Sequence, residues 1–236
     1  EHCSVCDFAP TAHYGSWANT PKYLPKSPFK GHRTKICALQ SLFYKVPDVS
    51  LVKDDESFER LRKHFQIVVD LASANGIPCV IFGSPGVRSN RDFNLSYQAL
   101  LERISFLAEY AFSRNVKLCF EVNSPKFGCE FLTTNQSLFD LHSDLDHPGL
   151  GLHLDVGQMI EEGLSPINMV STLNQRICHL HLSSPDFTFQ PTMFDLYQSL
   201  IKKLACQDID IILEIQTLGG LSECQLVDFF RELNEL

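Results

Sequence analysis

The chain has 236 residues, of which 44% are hydrophobic and 20% charged, ordinary globular values that exclude a disordered, collagen-like or coiled-coil protein. Its 28 acidic against 20 basic side chains give a net charge of −8, which opposes phosphate-backbone binding unless a basic groove is assembled locally. No apolar run approaches the roughly 20 residues of a membrane span and nothing resembles a signal peptide, so no membrane partner is expected.

In chain order, Cys3–Phe8 reads as a strand and the Pro-rich stretch through Pro28 as a surface loop. A βα rhythm follows. Lys35–Leu39 is a strand, and Ser57–Ala74 is a helix with Phe58, Leu61, Phe65, Val68, Val69 and Ala72 at helical spacing, stopped by Asn75-Gly76. Strand Cys79–Phe82 ends in Gly83-Ser84-Pro85-Gly86 and precedes helix Leu95–Phe112. Strand Lys117–Glu121, helix Asn135–Leu141, strand Gly149–Asp155 and helix Pro166–Leu173 continue the alternation. Strand Ile177–Leu182 with helix Met193–Leu204, and strand Ile209–Ile215 with helix Cys224–Leu236, close it.

Seven strands joined by right-handed crossovers make a parallel sheet. A (β/α)8 TIM barrel has eight strands and about 250 residues, so the pattern predicts an α/β barrel lacking its first βα unit. The first residue, Glu1, is not Met, in keeping with processing or trimming. A doubly wound open sheet is the alternative, but no Gly-x-Gly-x-x-Gly follows a strand. Nothing resembling a linker divides residues 1–236, which are read as a single domain. The nine cysteines are odd in number and irregularly spaced, which argues against a disulfide framework. Cys79, Cys119 and Cys178 lie in apolar runs and read as core thiols of a reducing compartment, with the cytoplasm the expected location. Cys3-x-x-Cys6 lacks the second pair of a zinc finger and reads as packing.

Chemistry concentrates where the later strands end. Glu121, Asp155, His181 and Glu214 stand at or near strand termini, the end at which barrel active sites are built. Alternation places Asn123 on the face of Glu121, His153 with Asp155, His179 with His181, and Gln216 with Glu214. Three carboxylates and an imidazole suit Mn²⁺, Mg²⁺, Co²⁺ or Zn²⁺, and one divalent cation would relieve their mutual repulsion. Taken alone, Asp155 would read as a helix N-cap. His153 and His179 read as partners behind the ligands. Ser84, within Gly83-Ser84-Pro85-Gly86, belongs either to a phosphate cradle or to a plain turn. Arg88 and Arg91 read as solvated loop arginines or an anion contact, and Trp17 and Phe43 as core aromatics or a pocket wall.

The spacing of those four residues, with Phe120-Glu121-Val122-Asn123, Leu152-His153-Leu154-Asp155-Val156-Gly157 and His179-Leu180-His181-Leu182, resembles the xylose isomerase-like TIM barrels. This superfamily holds sugar phosphate isomerases, epimerases and endonuclease IV. Asp7-Phe8-Ala9-Pro10, Ala38-Leu39-Gln40-Ser41-Leu42 and Val80-Ile81-Phe82-Gly83-Ser84-Pro85 are similar to earlier strand ends of one bacterial branch, so the likeness covers nearly the whole chain.

The resemblance implies a metal-dependent sugar or sugar-phosphate isomerase/epimerase that transfers a proton through a metal-stabilised enediolate. Glu121, Asp155, His181 and Glu214 would be ligands, with Glu121 and Glu214 also the acid/base pair. Asn123, His153, Gln158, His179 and Ser84 would surround the substrate. Gln158 stands where many relatives place a histidine, and Phe187 where ketose epimerases place an arginine. The alternatives are an endonuclease IV-like phosphodiesterase, a keto-polyol dehydratase and a non-catalytic sugar-binding member. Dimers and tetramers are common among relatives, which makes a homo-oligomer an open expectation.

Overall fold

A computed structural model describes residues 5–24, 34–89, 95–173, 176–188, 190–205, 207 and 209–214. The strands are β1 Val5–Phe8, β2 Lys35–Leu39, β3 Cys79–Phe82, β4 Lys117–Phe120, β5 Leu150–Asp155, β6 Ile177–Leu182 and β7 Asp210–Leu213. The helices are α1 Pro10–Tyr14, α2 Asp55–Ala74, α3 Tyr97–Ser113, α4 Asn135–Leu145, α5 Val156–Glu161, α6 Pro166–Leu173 and α7 Phe194–Leu204. The strands take sheet order β1 through β7, the same as chain order. Pairing is parallel from β1 to β5 and between β6 and β7. This alternation of parallel strands and helices is the TIM-barrel pattern.

Two compact units are distinguished, Glu1–Leu152 and His153–Leu236, with β5 running through the boundary. In the first, Ala38, Leu39, Val80, Ile81, Phe82, Leu118, Cys119 and Phe120 are all fully buried. That unbroken burial is why β2, β3 and β4 read as continuous apolar runs, as parallel strands covered on both faces do. Helix α2 begins at Asp54, whose carboxylate accepts the Ser57 N–H at 2.7 Å, while Asp55 and Glu56 complement the positive end of the helix dipole. Its stripe of Leu61, Phe65, Val68, Val69 and Ala72 is completely buried, and the helix stops where Gly76 takes φ +66°. Gly149 is required by packing, because a Cβ there would collide with the Ala108 carbonyl oxygen of α3.

In the second unit α5 and α6 separate β5 from β6, and α7 packs Tyr197, Leu200 and Leu204 inward before β7. Lys202 and Lys203 lie in the last turn of α7, where the dipole favours cations.

Two elements differ from the sequence reading. Pro10–Tyr14 is a short helix instead of loop, because Pro10 occupies the first turn, where its missing N–H costs nothing, and Gly15 closes it at φ +79°. Val156–Glu161 is also helical, its six residues being too few to show a period. The expected helix Cys224–Leu236 lies outside the described residues. Cys79 and Cys119 are buried as expected, whereas Cys178 is only half-buried. Burial and the neighbouring Asp7 push the Cys6 thiol up to about 11, which keeps it protonated and inert. Among the described residues no helix is long and apolar enough to cross a membrane.

His64 of α2 points its Nε2 at the Leu42 carbonyl, 2.9 Å away, beneath the edge of Trp17. Burial pulls its pKa below the ordinary 6.5, so the folded chain holds it neutral and donating. The stability it contributes is therefore complete above about 6.5 and is lost as pH falls from there through the lowered value. Urea midpoints at pH 7 and pH 5 should fall further in the parent than in His64→Gln; equal falls would remove His64 from the account.

Candidate functional site

Asp155 ends β5, and its carboxylate is anchored at both oxygens. Oδ1 accepts the Gln158 N–H at 2.7 Å, capping α5, and Oδ2 accepts the Ser183 hydroxyl at 2.7 Å. The N-cap reading of Asp155 is thus observed. Ser183 Oγ also receives the Gly157 N–H at 2.9 Å. Any Cβ on Gly157 would meet the Ser184 carbonyl oxygen at 2.6 Å, so glycine lets α5 approach the end of β6. His181 of β6 brings Nδ1 to 2.9 Å from Glu214 Oε2 and 4.0 Å from Asp155 Oδ2. The residue following β7, Glu214, is held there by its N–H on the Leu182 carbonyl at 3.1 Å.

One donor atom from each of Asp155, His181 and Glu214 lies within 4.8 Å of the others. Burial is the main force raising the Asp155 pKa; the Glu214 charge adds to it, while His181 and the two hydrogen bonds oppose it. Two crowded carboxylates beside an imidazole, with the buried Asp155 held above its ordinary range, are a donor set that would suit a divalent cation. The residues present fit the expected metal.

Beneath this triad lie two further histidines, His153 and His179, with Nδ1 atoms 3.1 Å apart. Gln158 turns its amide onto Glu162 of its own segment, at 2.9 Å. Tyr197 of α7 is buried, and desolvation with the Asp155 and Asp186 charges pushes its phenol upward.

In the first unit Glu121 follows β4, half-buried, and accepts the Asn123 side-chain N–H at 3.1 Å on Oε1. Arg88 fixes that amide. Its Nη2 donates to Asn123 Oδ1 and the Gly83 carbonyl, and its Nη1 to the Phe131 and Leu132 carbonyls at 3.1 and 3.3 Å. The side chain has 0% exposure. Burial lowers the guanidinium pKa against the opposing charges of Cys129 and Glu121, and arginine keeps its charge nonetheless. The reading of Arg88 as a solvated loop residue is therefore corrected, since a short 3₁₀ turn over Pro85–Arg88 directs it inward. Sequence reasoning missed this residue because position in a loop carries no burial signal. Gly83 has a third role besides cradle or turn, for a Cβ there would collide with Glu121 Oε2. Ser84 instead borders a surface groove of about 360 Å³ with Ser41, Phe43, Tyr44 and Lys45. Trp17 lines a separate groove with Ile67 and Leu71.

Parallel strands alternating with helices, with acids and imidazoles gathered towards the strand ends, define a protein of the TIM-barrel class. The profile of the xylose isomerase-like TIM barrels matches residues 30–218, and the chain belongs to that family. It is similar in structure to 3-keto-D-glucoside 4-epimerase YcjR from E. coli, with TM-score 0.65 and 12% identity over 85% of this chain and 79% of that one. D-psicose 3-epimerase from Clostridium cellulolyticum H10, solved with D-tagatose, gives 0.65 and 12% over 98% and 87%. A family 2 AP endonuclease from Brucella melitensis gives 0.67 and 13% over 85% and 79%. At these identities the likeness is one of fold. No curated protein matches.

Replacing Arg88 by Met should leave four oxygen acceptors without their donor and cost about 3–5 kcal/mol, a Tm drop of roughly 10 °C. Arg88→Lys should recover only part of this, because an ammonium cannot span the four acceptors. Calorimetry on both variants checks it, and a Tm unchanged in Arg88→Met would mean that the guanidinium contributes nothing.

Proposed function

We propose that this single-domain chain is a divalent-metal-dependent sugar or sugar-phosphate isomerase/epimerase. The observation that carries the reading is the convergence of Asp155, His181 and Glu214 donor atoms at the ends of three successive strands. Family membership and the epimerases among its structural neighbours support it. On the resemblance, Glu121 is proposed as the fourth ligand and as the second member of the acid/base pair.

A bound divalent cation supplies Lewis acidity that withdraws electron density from the substrate's hydroxycarbonyl oxygens. The chain's own carboxylates divide the remaining work. Asp155 is 7% exposed and anchored at both oxygens, so it serves as a fixed ligand. The Glu214 side chain is 28% exposed and meets His181 through Oε2, which leaves it able to reach a substrate carbon and exchange a proton there. Removing the proton at one carboxylate and returning it from another interconverts epimers or isomers without any further reactant. Asn123, His153, Gln158, His179 and Ser84 are proposed as the surrounding substrate contacts, and within their units Asn123 also steers Glu121 while Gln158 engages Glu162. The net charge of −8 disfavours the nuclease alternative.

Elemental analysis after dialysis should find about one Mn, Co, Mg or Zn per parent chain and essentially none in His181→Ala. In D₂O, the metal-loaded parent should introduce solvent deuterium into a ketose or ketose phosphate, with the rate falling about 10²–10⁴-fold in Glu214→Gln. Full exchange in the chelated protein would overturn the metal-dependent reading, and three zincs per chain would favour the nuclease. A dehydratase would reveal itself by loss of water from a keto-polyol.

A further inference from the structure

The two deeper histidines are not needed to hold the cation proposed above, yet they are placed as ligands are. Strand alternation puts His153 two residues before Asp155 and His179 two before His181, on the same faces. Their Nδ1 atoms meet at 3.1 Å. The two facing nitrogens can share a single proton, or they can flank a cation. Two nitrogens bound to one tetrahedral ion at about 2.0–2.1 Å stand roughly 3.3 Å apart, so the observed separation needs only a small adjustment. His181 completes the group: its ring centroid lies 4.4 Å from that of His153 and 5.0 Å from that of His179. One nitrogen from each of the three lies within 4.8 Å of the others, and all three residues are buried.

We propose that His153, His179 and His181 form a second, nitrogen-only cation position, one layer deeper than the oxygen-rich one and selective for Zn²⁺ and other borderline transition metals. Three neutral imidazoles suit Zn²⁺, Cu²⁺, Ni²⁺ and Co²⁺, whereas Mg²⁺ and Mn²⁺ prefer carboxylate oxygen. Asp155 and Glu214, both against His181, compensate the charge. A neutral imidazole has one lone pair, so His181 ligates one ion at a time and the two positions compete. The competition rests on the oxygen-rich reading of the site; the nitrogen position does not. The softness of the cation then sets its depth in the second unit.

Metal binding alone tests this, without a substrate. The full chain is labelled with ¹⁵N-histidine, stripped by chelation and given one equivalent of Zn²⁺ or of Mg²⁺. Zn²⁺ should move the ring nitrogens of three histidines to metal-bound shifts, and Mg²⁺ those of one at most. By calorimetry His153→Gln and His179→Gln should each weaken Zn²⁺ at least about 10-fold while changing Mn²⁺ less than about threefold. Asp155→Asn should weaken Mn²⁺ and leave the three-histidine Zn²⁺ signature in place. One equivalent of Zn²⁺ should also release bound Mn²⁺, read as the free-ion resonance. Fewer than three shifted histidines in the parent would overturn the proposal, and this reading does not depend on any variant folding. Equal weakening of Zn²⁺ and Mn²⁺ in the histidine variants would do the same. A parent that binds Zn²⁺ through three histidines but no Mn²⁺ or Mg²⁺ would instead remove the oxygen-rich site and leave the nitrogen one standing.

Discussion

A carboxylate withdrawn from water has to be met by donors or by positive charge, and the arrangement of the second unit follows from meeting that demand at Asp155. Its side chain is 7% exposed, and burial, with the Glu214 charge adding to it, drives its pKa upward. Two hydrogen bonds answer part of the demand, one from the first turn of α5 and one from Ser183. Those bonds account for local features that would otherwise look arbitrary: a helix beginning directly at the strand end, and a glycine at 157 that lets the helix sit against Ser183 and Ser184. Hydrogen bonds do not remove the repulsion between Asp155 and Glu214, with His181 between them. The proposed divalent cation would, and the same geometry would then serve stability and chemistry together.

The first unit solves the corresponding problem with a side chain. Arg88 brings a permanent cation into the interior, distributes its donors over three backbone carbonyls and Asn123, and through Asn123 orients Glu121. A guanidinium is fixed in place and cannot be titrated near neutrality, so the environment of Glu121 is set when the chain folds. At Asp155 and Glu214 the compensating charge would come from the divalent cation proposed above. The two carboxylates proposed as the acid/base pair therefore stand in different surroundings, Glu121 beside an amide that an arginine fixes and Glu214 against an imidazole.

Much of the fold was legible because its signals are local. Lys35–Leu39, Cys79–Phe82, Pro166–Leu173 and Ile177–Leu182 have the boundaries their patterns predicted, and Asp54 and Ser96 open α2 and α3 by ordinary capping. Helix α5 was not legible, since six residues do not complete two turns and its cap was already claimed by the argument for a ligand. The convergence of Asp155, His181 and Glu214 could be read from strand ends because a parallel sheet sends them the same way. Arg88 could not, for nothing in Pro85-Gly86-Val87-Arg88 distinguishes an arginine turned inward from one turned to water. The role of Gly83 was hidden for the same reason. Its neighbour in space, Glu121, follows the next strand, and only the pairing of β3 with β4 brings them together.

The facing of His153 and His179 exposes a further limit of pattern reading. Alternation places both on the inner face, yet it does not say that they present the same nitrogen to each other. That detail changes the chemistry, because two Nδ1 atoms in contact cannot both carry a proton. Along β5 and β6 the donors then change from nitrogen at 153 and 179 to oxygen and nitrogen at 155 and 181, and Glu214 after β7 adds oxygen at the outer level. Donor hardness thus increases over a single pleat, about 7 Å along the strand. On the proposals above, a cation that favours oxygen would be held where Glu214 retains some exposure to water, and one that favours nitrogen would be drawn a layer inward, away from that carboxylate. The same histidine serves both levels, so the identity of the ion, not its mere presence, decides whether Glu214 works beside a Lewis acid.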